Sequence, residues 1–221
     1  MQTKTLQHFG TAPEAARSID HAHACTVSFI RLNECGNDLW RDWANVSAHS
    51  ADQNVFATDW VVRAGVNSLG DQLPLQIARI VSPDGNPVAF TILSMEKRLG
   101  RLPLSNASPF THHNAFVHSM TIKRGWEEQA FSALLVRLAQ IPQAPVAFSI
   151  GLMPQDSAAF AGLTAACTAL KLPLVVEEQF ERAKVETKLL PEAYWDETVR
   201  SKKRKELRRQ WRRLGETGRS L

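Results

Sequence analysis

The sequence predicts a mixed α/β domain, one twisted sheet flanked by helices on both faces, followed by a separate cationic helix. Three observations predict it. Strand-like and helix-like stretches alternate through the second half of the chain, the pattern of a sheet covered on both sides. Two apolar runs, Leu73–Val81 and Pro87–Met95, flank Ser82-Pro83-Asp84-Gly85-Asn86; proline sets φ and Asp-Gly tolerates positive φ, so the pair reads as a hairpin. Charge is segregated. Val199–Leu221 holds ten Lys or Arg against two Glu, a net of +8, and the whole 221-residue chain carries +4, which leaves −4 for residues 1–198.

The elements follow in order. Residues 1–22 mix Gly, Pro, Ala and His without periodicity and read as a loose lead-in to a domain spanning 23–198. His23–Leu32, with Val27, Phe29 and Ile30, reads as a strand. Asp38–Ala48 sets Leu39, Trp40, Trp43 and Val46 at helical spacing. Thr58 can cap a second helix whose apolar face includes Trp60, Val61, Val62, Val66 and Leu69, ending at Gly70. After the hairpin, Arg101–Ala107 and Asn114–Ile122 are short strand candidates. Trp126–Gln140 is an amphipathic helix carrying Phe131, Leu134, Leu135 and Leu138. Ala144–Leu152 is a buried strand, and Asp156–Leu170 an Ala-rich helix with Phe160, Leu163 and Cys167 on one side. Leu172–Glu178 and Arg182–Leu189 read as strands. Pro191, at a tolerated first-turn position, opens a short helix through Tyr194 and Trp195, and the basic helix 199–221 follows.

Composition narrows the class. Apolar residues make up 44% and charged residues 22%, as in ordinary globular domains. No apolar run approaches the ~20 residues that span a bilayer, and the start carries no secretory hydrophobic stretch, so a cytoplasmic protein is expected. Cys25, Cys35 and Cys167 form no CxxC pair, which argues against a disulfide framework or a structural zinc site and for buried, reduced thiols; no metal is expected.

Several clusters could carry chemistry. Thr111-His112-His113-Asn114 with His118 is the densest histidine group. His113 or His118 could serve as a general base for an amine, or the stretch is a polar loop entering a strand. Glu177 and Glu178 end a strand; Glu178 could polarise an amine, or both acids face water on an edge strand. Within the basic helix, Leu207, Trp211 and Leu214 form one narrow apolar stripe, and the other faces are Lys and Arg. Arg208, Arg209 and Arg212 are candidate anion contacts. Nucleic acid is the minority reading of that helix, because the rest of the chain is net negative and shows no helix-turn-helix or RNA-binding signature. Lys97–Arg101 reads as a hairpin turn, and Gly215 as a left-handed glycine ending the basic helix. A nucleophile elbow is absent.

Three segments carry a resemblance. Asn54-Val55-Phe56-Ala57-Thr58-Asp59-Trp60 opens a helix. Val175-Val176-Glu177-Glu178 leads through Arg182 and Ala183 into an alternating stretch, and the third segment is the run from Ser201 to Gly215. Together, over about residues 24–218, they resemble the N-terminal half of the cellulose-biosynthesis-associated acetyltransferases of the CelD/BcsL type. Those are similar to a tandem of two GNAT-like domains and to the Fem-type peptidoglycan aminoacyltransferases. The resemblance implies a GNAT-like fold and acetyl-CoA or another acyl-CoA as donor. It also implies a small-molecule or envelope-precursor acceptor, and a reaction in which an acceptor amine or hydroxyl attacks the thioester. In that family the basic helix bridges to a second domain of similar size. The resemblance therefore implies an N-terminal module whose helix meets a second GNAT-like domain or a second copy of the chain.

Overall fold

The structure is a computed structural model that describes residues 2–8, 25–69, 75–111, 115–182 and 188–216. Eight strands form one sheet: β1 (Gln2–His8), β2 (Thr26–Arg31), β3 (Leu75–Val81), β4 (Pro87–Glu96), β5 (Asn106–Pro109), β6 (Thr121–Ile122), β7 (Ala147–Pro154) and β8 (Leu174–Phe180). Their spatial order is β2-β3-β4-β5-β7-β1-β8, with β6 beside β4. Every pairing is antiparallel except β5 with β7. The helices are α1 (Asn37–Ala48), α2 (Asp59–Leu69), α3 (Glu127–Ala139), α4 (Ala158–Ala169), α5 (Pro191–Thr198) and α6 (Ser201–Glu216).

Both sheet faces are covered at β4, and strand alternation shows how. On β4, Phe90 and Ile92 point to one side and pack with Trp43 and Val46 of α1, Val66 of α2 and Ile77 of β3. Ala89 and Leu93 point to the other and join Phe131, Leu134 and Leu138 of α3 with Leu163 and Cys167 of α4. Trp43 is 1% exposed and stacks between Trp40 and Phe90, with ring centroids 5.6 and 5.2 Å away. Its indole N–H donates to the Ala57 carbonyl at 2.9 Å, which satisfies the one polar atom it buries. Gly162 lets α3 and α4 close on each other: a Cβ there would sit 2.4 Å from Glu127 Cβ. Burial pushes the Cys25 thiol above its ordinary range, and burial with the neighbouring Glu34 does the same to Cys35.

The hairpin forms as expected, with Gly85 at φ +81° and its N–H on the Ser82 carbonyl at 2.9 Å. Lys97–Arg101 lies in the turn between the antiparallel strands β4 and β5, closed by a Leu99–Leu102 bridge. Three expectations meet a different outcome. Gln2–His8, inside the stretch read as a lead-in, is a strand inserted between β7 and β8; its pattern is polar and its pairing is made by distant partners. Trp60, expected on the apolar face of α2, is 63% exposed. Gly215 lies within α6 and not at positive φ, because the helix runs on to Glu216, which pairs with Arg212 at 3.6 Å. The strand expected at Arg182–Leu189 lies mostly outside the described residues, as does the Gly70 helix end.

Contacts divide the chain into two compact units, Met1–Glu181 and Arg182–Leu221, so α5 belongs with α6. Taken by itself, the second unit has no buried residue in either helix. Arg204 on α6 holds Asp196 of α5 through its guanidinium. Trp211 and Leu214, 73% and 50% exposed, leave the apolar stripe of α6 open. No helix among the described residues is long and apolar enough to cross a membrane.

Candidate functional site

The site begins where the parallel pair parts. β5 meets β7 over two rungs, Asn106 with Ala147 and Ala107 with Phe148. Beyond them β5 stays with β4, while β7 continues to Pro154. On its β5 side the next main-chain bond to β7 among the described residues is at Leu152, whose carbonyl accepts from the His118 backbone N–H at 2.6 Å. A window over Ser149–Gly151 is left, facing no strand among the described residues. At this point the β1–β7 register slips, with Thr5 opposite Ile150 but Thr3 opposite Met153, so β7 carries an extra residue. Such a bulge turns backbone groups out of the ladder. Asn106 lies at the window. It is 4% exposed, its Nδ2 donates to Ser149 Oγ at 2.8 Å, and its Oδ1 is buried without a hydrogen-bond partner. A buried orphan acceptor is costly, and a ligand N–H would relieve it.

Beside the window lies a cleft of about 310 Å³, lined by Asp52, Asn54, Val55, Phe56, Val117, Ser119, Pro154, Asp156 and Ser157 among others. Its wall is the connection between α1 and α2, held at three points. Asp52 accepts from the backbone N–H groups of Ala158 and Ala159 at 2.9 and 2.8 Å, so a carboxylate from another part of the chain satisfies the first donors of α4. Asn54 accepts from Phe56 N–H at 3.1 Å and donates to the Val117 carbonyl at 3.4 Å. The Ala57 carbonyl accepts from Trp43 and from the Thr121 hydroxyl. A loop fixed in this way is a preorganised wall. At the rim, Phe56 and Phe116 meet edge to face with centroids 5.8 Å apart.

The expected residues fall in different places. His118 is half-buried, with its ring against Gly151 of the window. Its Nδ1 accepts from Leu152 N–H at 3.2 Å, and its Nε2 lies 3.1 Å from the Ala115 carbonyl. With Nδ1 accepting from Leu152, the Ala115 carbonyl stands where it can accept from Nε2. Gly151 makes room for it: a Cβ there would stand 2.2 Å from His118 Nδ1. His113 lies outside the described residues. Glu178 is exposed on β8, opposite Lys4 of β1. One strand separates it from β7, so its backbone is about 10 Å from the Gly151–Leu152 row. Arg208, Arg209 and Arg212 belong to the second unit. Arg209 grips Glu206 with two hydrogen bonds, at 2.8 and 3.1 Å, and that bond holds the Glu206 carboxyl below the usual carboxylate range.

Sequence reading missed Asp52, Asn106 and Gly151. Gly151 inside an apolar strand pattern was the one local signal, since glycine there marks a bulge or a close approach. The partners of Asp52 stand 106 and 107 residues away, and nothing local announces them.

No protein-family model and no curated protein matches the chain. Among solved structures it is similar to L-PGS from Bacillus licheniformis, at 16% identity and a TM-score of 0.44, over 70% of this chain and 46% of that one. It is also similar to a functionally unknown conserved protein from Staphylococcus epidermidis ATCC 12228, at 11% identity and a TM-score of 0.43, over 80% of this chain and 59% of that one. The chain thus spans about half the length of these structures.

Proposed function

We propose that the chain is a lobe of an acyl-CoA-dependent N-acyltransferase of GNAT-like architecture, the N-terminal module that the three sequence segments resemble. The observation that carries the reading is the window on β7. An extended arm bearing amide groups, as in an acyl-CoA, can add to an open strand edge through main-chain hydrogen bonds, and the orphan Asn106 Oδ1 suits an amide N–H of such a ligand. The cleft beside it suits an acceptor. In the reaction, the acceptor nitrogen forms a bond to the thioester carbonyl carbon, the carbon–sulfur bond breaks, and the sulfur leaves as the CoA thiol with the proton the nitrogen loses. The protein's part is orientation of the two reactants. His118 acts by position in this reading, since its Nδ1 must release Leu152 before it can take a proton. By resemblance, the acceptor is a small molecule or an envelope precursor, and α6 meets a second GNAT-like domain or a second copy.

Calorimetric titration with acetyl-CoA tests the reading. Saturable binding is expected, weakened about tenfold by Asn106→Ala, the equivalent of one hydrogen bond to a buried group. Absence of heat and of thermal stabilisation at millimolar acetyl-CoA would remove it.

A further inference from the structure

We infer that α6 is an interfacial helix that lays its apolar stripe into an anionic phospholipid surface. Leu207, Trp211 and Leu214 recur at i, i+4 and i+7, so they share one face over about 10 Å of helix. At the C-terminal end of that stripe Trp211 is 73% and Leu214 50% exposed. The rest of the helix surface is cationic. α6 holds eight Lys or Arg against Glu206 and Glu216, a net of +6. Three of these cations are engaged inside the unit: Arg204 with Asp196, Arg209 with Glu206 and Arg212 with Glu216. Lys202, Lys203, Lys205 and Arg208 are exposed and make no ion pair among the described residues. A helix about 10 Å across keeps each of these charges within roughly a Debye length of any surface it lies on.

A short apolar stripe with tryptophan in it, on a helix otherwise made of Lys and Arg, is the pattern of helices that lie in the headgroup layer of a membrane. Tryptophan suits that depth because its ring is apolar and its N–H polar. Lys203, one turn before Leu207, and Arg208 border the stripe. From there long side chains reach headgroup phosphates while their methylenes stay with the apolar face. Other occupants match less of this surface. Three apolar side chains supply only part of the ~800 Å² that each side of a stable protein interface buries. A second α6 brings the same net +6 and repels. Nucleic acid would take the cations and leave the stripe in water. An anionic bilayer takes both. A link to a further domain, which the resemblance implies, occupies the end of the helix and not its stripe.

Lipid docking is independent of the acyl-transfer reading, and no acyl-CoA enters its test. The full chain is sedimented with vesicles of phosphatidylcholine alone and of phosphatidylcholine with phosphatidylglycerol. Partitioning into the anionic vesicles is expected to be at least tenfold stronger. The triple variant Lys202→Gln, Lys203→Gln, Lys205→Gln should lose about a hundredfold, at roughly fivefold per charge. Trp211→Ala with Leu214→Ala should lose about tenfold. All five positions are exposed, so the melting temperature should not move. Lipids brominated on the acyl chain should quench the protein's fluorescence, and Trp211→Phe should remove that quenching while binding persists. Equal partitioning into both vesicle types would overturn the inference, as would binding indifferent to loss of Trp211 and Leu214. So would displacement of the chain from vesicles by duplex DNA at physiological salt, or self-association that Trp211→Ala abolishes, since each gives α6 a different occupant.

Discussion

Two glycines show how single residues set the packing. At Gly162 an added methyl would overlap the Glu127 Cβ and backbone, and at Gly151 it would strike the His118 ring. Gly162→Ala must part α3 from α4, and overpacking of this kind costs about 1–3 kcal/mol. In a domain of this size that lowers the melting temperature by about 2–4 °C per kcal/mol. Gly151→Ala can be relieved by moving one ring; the expected mark is a stability cost that the double variant with His118→Ala largely recovers. Additive losses in that double variant would show that the contact does not govern the site.

The thiols titrate in a direction that can be checked. Burial raises Cys25, and burial with Glu34 raises Cys35, so both stay protonated through neutral pH. Only the thiolate reacts. Alkylation by iodoacetamide should therefore be slow at pH 7 and accelerate above the ordinary thiol range. The same shift contributes stability that is complete below the unfolded-state thiol pKa and is lost as pH rises through the folded one, so alkaline pH should destabilise the fold. Fast modification of native protein at pH 7 would refute the burial described.

At the scale of elements, α6 is a helix held by its own side chains. Glu206 takes two hydrogen bonds from Arg209 and one from Gln210 at 3.0 Å, and Arg212 reaches Glu216. Because the Arg209 bond depresses the Glu206 carboxyl, its support is present at neutral pH and is lost as pH falls through the lowered value. The far-UV helical signal of the chain should decline in acid, and Glu206→Gln should remove part of that dependence. The exposed cations of α6 also yield a direct check on the minority reading. Fluorescence anisotropy with DNA or RNA is expected to show only weak, salt-abolished binding; tight binding that persists at physiological salt would favour a nucleic-acid module.

The elements also show what the sequence made legible. α1, α3 and α4 could be placed because periodic apolar residues such as Trp43, Phe131 and Leu163 are the ones that reach the core. The β3–β4 hairpin could be placed because Pro83, Asp84 and Gly85 encode its turn locally. β1 could not, since a mostly polar stretch with Leu6 in it becomes a strand only when β7 and β8 stand on either side. Trp60 followed the helical period of α2 yet faces water. Of the site, His118 was legible as a histidine of interest. Its role was not, because Leu152 and Gly151, which define its state, lie more than thirty residues away.

At the scale of the whole molecule, the first unit supplies a sheet with an open window and a cleft beside it, and the second supplies a cationic helix with an exposed apolar stripe. The acyltransferase proposal stands or falls on the window on β7. Amide-resolved NMR during an acetyl-CoA titration reads it directly. The account predicts saturable shifts concentrated at Ser149, Ile150, Gly151 and the Asn106 side-chain amide. Shifts confined to residues 201–216, or none at millimolar acetyl-CoA, would contradict it.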